Sequence, residues 1–139
     1  MKRYFIKRFR NKHPDDVERE ATFQTIAADY GLAPPIISTD YSSFIKMRHL
    51  NEPCIADMYG DKLDNIPEDI QEQIIDILWM LYYECDIEYL DVTPYNFIEK
   101  NGRVFVIDFG DAREREDVMD EFLQDIFDTW ELKWNEDFR

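Results

Sequence analysis

The spacing of apolar and polar positions divides the chain into short strands and helices. From Arg3 to Phe9, aromatic and aliphatic residues alternate with cations, which predicts a strand. Between Pro14 and Gly31, Phe23, Ile26, Ala27 and Tyr30 recur at helical spacing. At about 100° per residue, Val17, Ala21 and Ala28 join that side. Pro14, Asp15 and Asp16 suit the first turn of this helix, and Gly31 with Pro34-Pro35 ends it. Pro35 to Ser38 and Ser43 to Leu50 read as two strands joined by a polar turn at Thr39-Asp40-Tyr41. A short helix is predicted near Ile55–Tyr59. A longer one follows Pro67, with a stripe of Ile70, Ile74, Ile77, Leu78, Leu81 and Cys85, broadened by Trp79 and Tyr83. Phe97-Ile98 and Arg103 to Ile107 flank Asn101-Gly102, a hairpin-turn pair. After Arg113 a last helix is predicted to about Trp134. Val118, Met119, Phe122, Ile126 and Trp130 form one side of it, and Asp and Glu crowd the other. The order of elements predicts an α+β fold.

Several polar residues stand out against this pattern. Glu20 falls near the centre of the apolar arc of the first helix, whereas Glu18, Thr22, Thr25 and Asp29 fall on the polar side. A carboxylate on an apolar face is costly unless it is paired; the plainer reading is a boundary glutamate reaching water. Asn96 stands where a loop enters the hairpin and Asp108 where the chain leaves it, so the two come side by side. Two oxygen-bearing side chains there can share a hard cation such as Mg²⁺, which takes few protein ligands. Asp91, five residues before Asn96 on the same loop, can accept a proton. An acidic hairpin with a turn-forming Asp-Phe-Gly has the same composition.

Tyr89-Leu90-Asp91-Val92-Thr93-Pro94-Tyr95-Asn96, followed by Asp108-Phe109-Gly110, resembles the H-R-D-L-x-x-x-N and D-F-G motifs of the protein-kinase superfamily. The resemblance implies that Asp91 is the catalytic base and that Asn96 and Asp108 hold Mg²⁺. Tyr4-Phe5-Ile6-Lys7 resembles the family's V-A-I-K strand, although an edge strand with a solvated lysine reads the same way. By that resemblance Lys7 binds nucleotide phosphates and Glu20 orients it. The end of the second strand after the helix would be the hinge that holds adenine, at Met47, Arg48, His49 and Leu50. Small-molecule and atypical kinases, such as choline and aminoglycoside kinases and the Bud and RIO groups, are also similar around Arg19-Glu20-Ala21 through Gly31-Leu32-Ala33-Pro34. The implied architecture is a minimal kinase-like fold, with residues 1–50 a reduced small lobe and 51–139 a reduced helical lobe. The implied activity is an ATP- and Mg²⁺-dependent phosphotransferase acting on protein serine or threonine.

The chain also departs from the family. No glycine precedes Gly31, so no G-x-G-x-x-G hairpin is expected over the phosphates, and no A-P-E segment follows Gly110. Tyr89-Leu90 replaces His-Arg, which implies no control by a phosphorylated activation loop. Thr93 stands where many serine/threonine kinases carry lysine. Two rival readings therefore stay open. One is a pseudokinase-type nucleotide-binding or interaction module, and the other an acidic binding protein unrelated to nucleotide.

Composition narrows the picture. At 139 residues and 16.8 kDa one domain is expected, and 45% hydrophobic residues can fill a core. No apolar run is long enough to span a membrane and the N-terminus carries no apolar signal segment, so an intracellular protein with no membrane partner is expected. Cys54 and Cys85 show no metal-ligand spacing and are expected as thiols. A net charge of −15 argues against nonspecific nucleic-acid binding. Lys2, Arg3, Lys7, Arg8, Arg10 and Lys12 make residues 1–13 basic, for contact with phosphates or as balance for the acidic body. Nucleotide and a protein substrate or partner are the expected ligands.

Overall fold

The structure, a computed structural model, describes residues 1–135 and 137. The fold is α+β. Its first part is an antiparallel sheet of β1 (Tyr4–Arg8), β3 (Phe44–Arg48) and β2 (Ile36–Thr39), in the order β1-β3-β2. Tyr4 pairs with Arg48, Phe5 with Met47 and Lys7 with Ile45, so the end of β3 lies beside the start of β1. The Asp40 carboxylate accepts from the backbone N–H groups of Ser42, Ser43 and Phe44 and from the Ser43 hydroxyl, which closes the β2–β3 turn. These bonds hold its pKa well below the usual carboxylate range.

Helix α1 (Pro14–Asp29) packs on this sheet. His13 is its cap, with Nδ1 accepting from Asp15 N at 3.1 Å. Val17 and Ala21 meet Ile45 and Met47 in a small core flanked by Phe9 and Ile36. The far end of α1 belongs to a different core: Phe23 and Ala27 pack with Leu32, Ala33 and the apolar residues of the second part. Gln24 is also buried, and its Nε2 donates to Pro34 O at 2.9 Å and to Met47 Sδ at 3.4 Å. The helical pattern left this glutamine unassigned because an amide does not announce its backbone partner.

The second part is built on α3 (Glu68–Tyr83), which follows α2 (Ile55–Tyr59) and a short 3₁₀ turn at Leu63–Asn65. Ile70, Ile74, Ile75, Ile77, Leu78 and Leu81 of α3 are buried. They pack on the hairpin of β5 (Phe97–Lys100) and β6 (Arg103–Val106), whose register pairs Phe97 with Val106 and Lys100 with Arg103. Asn101 and Gly102 both have positive φ (53° and 80°), as a two-residue hairpin turn demands. The two parts are stitched where α1 ends. Val106 N donates to Leu32 O at 2.9 Å and Arg103 Nη2 to Gly31 O at 2.8 Å. Gly31 has φ +75°, and a Cβ there would sit 2.2 Å from Arg103 Nη2, so both the backbone and this bond require glycine.

Three sequence expectations are corrected. Trp79 and Tyr83 do not broaden the buried stripe of α3; they are 39% and 46% exposed and pack on each other with ring centroids 4.9 Å apart. No helix runs from Arg113 to Trp134. Instead β4 (Ile87–Glu88) pairs with β7 (Arg113–Glu114), and the helix α4 spans only Glu121–Thr129. The Asp120 carboxylate starts α4 by accepting from Phe122 N at 2.8 Å, and Trp130, at φ 52°, ends it. Val118 therefore lies outside the helix and is 82% exposed, while Leu123, absent from the predicted face, is fully buried with Ile126. Residues past Trp130 turn back instead: Asn135 N donates to Val92 O and Asn135 Nδ2 to Leu90 O, each at 2.8 Å. The predicted limit at 139 extends past the described residues. No helix among the described residues is long and apolar enough to cross a membrane.

Candidate functional site

The seam between the two parts gathers most of the residues singled out by sequence. Lys7 extends from β1 and donates to Glu20 Oε2 on α1 at 2.5 Å and to Asp108 Oδ1 at 3.2 Å. Glu20 is 2% exposed whereas Glu18 is exposed, so the helical phase selects the former. Burial pulls the Lys7 pKa down, but the Asp108 and Glu20 carboxylates outweigh it, and the ammonium is held above its usual value. Burial raises the Glu20 carboxyl against the pull of Lys7, with Asp108 adding in the same direction.

Asp108 is oriented from three sides. Phe109, 1% exposed, anchors the segment in the core, and Gly110 N donates to Asp108 Oδ1 at 2.8 Å. From behind, the Tyr89 hydroxyl donates to Asp108 O at 2.6 Å. The Tyr89 ring packs edge-on against Phe97 and Phe109, at 6.1 and 5.8 Å, and full burial raises its phenol well above the usual range. Tyr89 thus positions Asp108, a role with no signal in the sequence, where Tyr89-Leu90 stands only in place of His-Arg.

The loop before β5 holds the other two residues. Asn96 Nδ2 donates to Asp91 O at 2.8 Å and to Asp91 Oδ2 at 2.9 Å. Ala56 N donating to Pro94 O and the two Asn135 bonds fix the loop from the opposite side. Ile107 N donates to Asn96 O at 3.0 Å, so the hairpin does bring the backbone of Asn96 beside the approach to Asp108. Burial raises the Asp91 pKa; the Asn96 bond opposes this, and Asp111 and Asp108 add to it, Asp111 from hydrogen-bonding reach. Asp111 is a second group absent from the sequence expectations, marked in the sequence only by its place after Gly110.

The donor set suits a hard cation that takes few protein ligands. Asp108 Oδ2 and Asn96 Oδ1 accept no hydrogen bond from any described residue, because Lys7 and Gly110 engage Oδ1 of Asp108 and Asn96 turns its nitrogen toward Asp91. Among the described residues, no group of three His, Cys, Asp or Glu side chains could hold a metal unaided. An ion at this mouth would need oxygens from a ligand to complete its shell.

Beside this charged group lies an apolar cavity of about 230 Å³, lined among others by Phe5, Met47, His49, Leu50, Ile98 and Ile107. Arg48 N and His49 N donate to Pro35 O and Arg3 O, and Asn51 N to His49 Nδ1. The Leu50 N–H has no acceptor among the described residues and is an open donor on this wall. Met47 and His49, expected to contact a base, both line the cavity, as does Leu50 of the same expected hinge, whose N–H is open.

Cys54 and Cys85 are free thiols, and burial, with Glu84 and Asp86, pushes Cys85 up to about 11.

No protein-family model and no curated protein match the chain. Among solved structures it is similar to Rv3197 from Mycobacterium tuberculosis, in a complex with erythromycin, at 17% identity and a TM-score of 0.57. The match covers 72% of this chain and 27% of that one, and at this identity the likeness concerns the fold alone.

Proposed function

We propose that the protein is an ATP- and Mg²⁺-dependent phosphotransferase of minimal kinase-like fold, acting on a protein serine or threonine hydroxyl. The observation that carries the reading is the Lys7–Glu20–Asp108 group. It joins residues as far as 101 positions apart at one seam, between the apolar cavity and the Asp91–Asn96 pair. In this reading the base of the nucleotide lies in the cavity, with Leu50 N–H as a donor. Lys7, held in place by Glu20, meets the phosphates. Mg²⁺ held by Asn96 and Asp108 would supply positive charge to the phosphate oxygens. Asp91 accepts the proton of the acceptor hydroxyl as its oxygen bonds to the terminal phosphorus and the bond from that phosphorus to the ADP oxygen breaks. Positioning and fixed charge do the rest.

A nucleotide-binding module without transfer is the second reading, favoured by one observation: Asp111 lies within hydrogen-bonding reach of Asp91 and raises its pKa. A proton shared by this pair would occupy the base. Two measurements separate the readings. Calorimetric titration with ATP, with and without Mg²⁺, should show Mg²⁺-dependent binding that Asp108→Asn removes. Incubation with γ-labelled ATP and mixed protein acceptors should then transfer label. Binding without transfer supports the second reading, and absence of binding overturns both.

A further inference from the structure

We infer that Lys12 is a second phosphate-binding cation of the cleft, which reads the terminal phosphate of a nucleoside triphosphate; this rests on the nucleotide reading above. Lys7 is already engaged, since its ammonium donates to Glu20 at 2.5 Å and to Asp108 at 3.2 Å. Lys12 is poised differently. Its Nζ stands 4.0 Å from Glu20 Oε1, beyond hydrogen-bond reach, and donates to no described residue. Glu20 Oε1 is itself a buried acceptor with no hydrogen bond, on a side chain 2% exposed. Cation and acceptor thus face each other across a gap that neither closes. Lys12 is held by this long ion pair and is 35% exposed, so an arriving anion can reach its ammonium.

The opening in front of this gap is at Gly110. A Cβ there would lie 3.3 Å from Lys12 Nζ, 3.3 Å from Glu20 Oε1 and 3.1 Å from Asp108 Oδ1. A side chain at this position would crowd the space among these charges, and glycine leaves it open. Both ammoniums also flank one ring, with Lys7 at 5.3 Å and Lys12 at 5.8 Å from the Phe9 centroid.

Chain order supplies the assignment to the terminal phosphate. Phe5 lines the apolar cavity, Lys7 follows two residues along β1, and Lys12 comes after the turn at Asn11, whose φ is 61°. A nucleotide with its base in the cavity would meet Lys7 first and Lys12 last. Carboxylates of Glu20, Asp91, Asp108 and Asp111 surround that path and repel a polyphosphate. One ammonium already shared by two carboxylates does not offset them, and a second, loosely held one adds attraction where the charge of the triphosphate ends.

The test is calorimetric titration of the full chain and its Lys12→Met and Lys12→Arg variants with ATP, ADP and adenosine in Mg²⁺. Lys12→Met should weaken ATP binding about ten-fold or more, the loss of one charge-assisted contact. It should weaken ADP binding less and leave adenosine binding unchanged, and Lys12→Arg should restore most of the ATP affinity. An equal loss for all three ligands, or none for ATP, overturns the role of Lys12 while the nucleotide reading stands. If the unaltered protein binds neither ATP nor ADP, both fall together.

Discussion

The two parts of the molecule are held together very differently. Where α1 meets the sheet of the first part, Val17, Ala21, Ile45 and Met47 make up a small buried core, with Phe9 and Ile36 at its edge. The second part packs α3, the β5–β6 hairpin and α4 around a far larger continuous core, which also takes in Phe23 and Ala27 of α1. A core as small as the first rarely stabilises a fold by itself. The charges follow the same division. The small part contributes Lys7 and Glu20, and the large part contributes Asp91, Asn96 and Asp108 on a loop and strand end fixed by backbone hydrogen bonds. The lesson is that the large part fixes the site's geometry, whereas the small part depends on α1 spanning both cores to present its lysine.

The largest effect that would sharpen this contrast is at the loop of the large part. Asp91→Asn should lower phosphate transfer by about 10²–10⁴-fold while leaving ATP affinity nearly unchanged, since a base acts on the acceptor. Equal losses in transfer and in calorimetric affinity would make Asp91 a binding residue. The transfer rate of the unaltered protein should rise with pH through the raised Asp91 value. Asp111→Asn should move that rise to lower pH. Stability runs the other way. The contribution of Asp91 is fully present below the ordinary aspartate value and is lost as pH rises through the raised one, because the folded state holds the proton longer. Asp91→Asn should therefore melt slightly higher than the unaltered protein at neutral pH.

Next in size are the two cores. Ile74→Ala removes a fully buried side chain from the large core, and Ile45→Ala removes one from the small core. Large-to-small changes of this kind cost about 2–5 kcal/mol, and Ile74→Ala should lie in the upper half of that range and Ile45→Ala in the lower. Both should shift one common melting transition, followed by circular dichroism and by tryptophan fluorescence. A separate early transition in Ile45→Ala would break the comparison, because the small part would then unfold on its own.

The Lys7–Glu20 pair tests the seam. Lys7→Met and Glu20→Gln should each weaken ATP binding by about ten-fold, and the double variant should lose much less than the product of the two. Glu18→Gln, on the exposed side of α1, should leave affinity within about two-fold. Additive effects of Lys7 and Glu20 in this double-mutant cycle would show that the small part presents its lysine without the helix.

An effect on stability of similar modest size concerns the tie between β4 and β7. Glu88 is fully buried, and its carboxylate accepts from Arg113 Nε. Arg113→Ala leaves that carboxylate without its cation, which for a fully buried pair costs about 3–5 kcal/mol. Arg113 is half exposed and water can replace part of its bond, so about 1–2 kcal/mol is expected in urea titration. No change would show that the segment after Gly110 is held by its backbone ladder alone.

The α+β class and most elements were legible in the sequence, because amphipathic period and turn chemistry are local properties. Pro14 and Gly31 bound α1, Asn101-Gly102 closes its hairpin, and the phase of α1 separates buried Glu20 from exposed Glu18. The spacing of Asp91, Asn96 and Asp108 likewise showed which polar groups stand around one hairpin. What depends on distant parts of the chain was decided only in three dimensions. The stretch after Arg113 reads as one long helix, yet Glu88 captures Arg113 and Asp120 caps a later start, so strand pairing overrides the local pattern. Trp79 and Tyr83 are apolar by composition but face outward, since the face of α3 that packs is chosen by the hairpin opposite it. The hydroxyl of Tyr89 on Asp108, the Asn135 bonds to the Asp91 loop and the gap between Lys12 and Glu20 leave no periodic trace. Each joins single atoms across long stretches of chain, and a pattern of side-chain types along one dimension carries no distance between them.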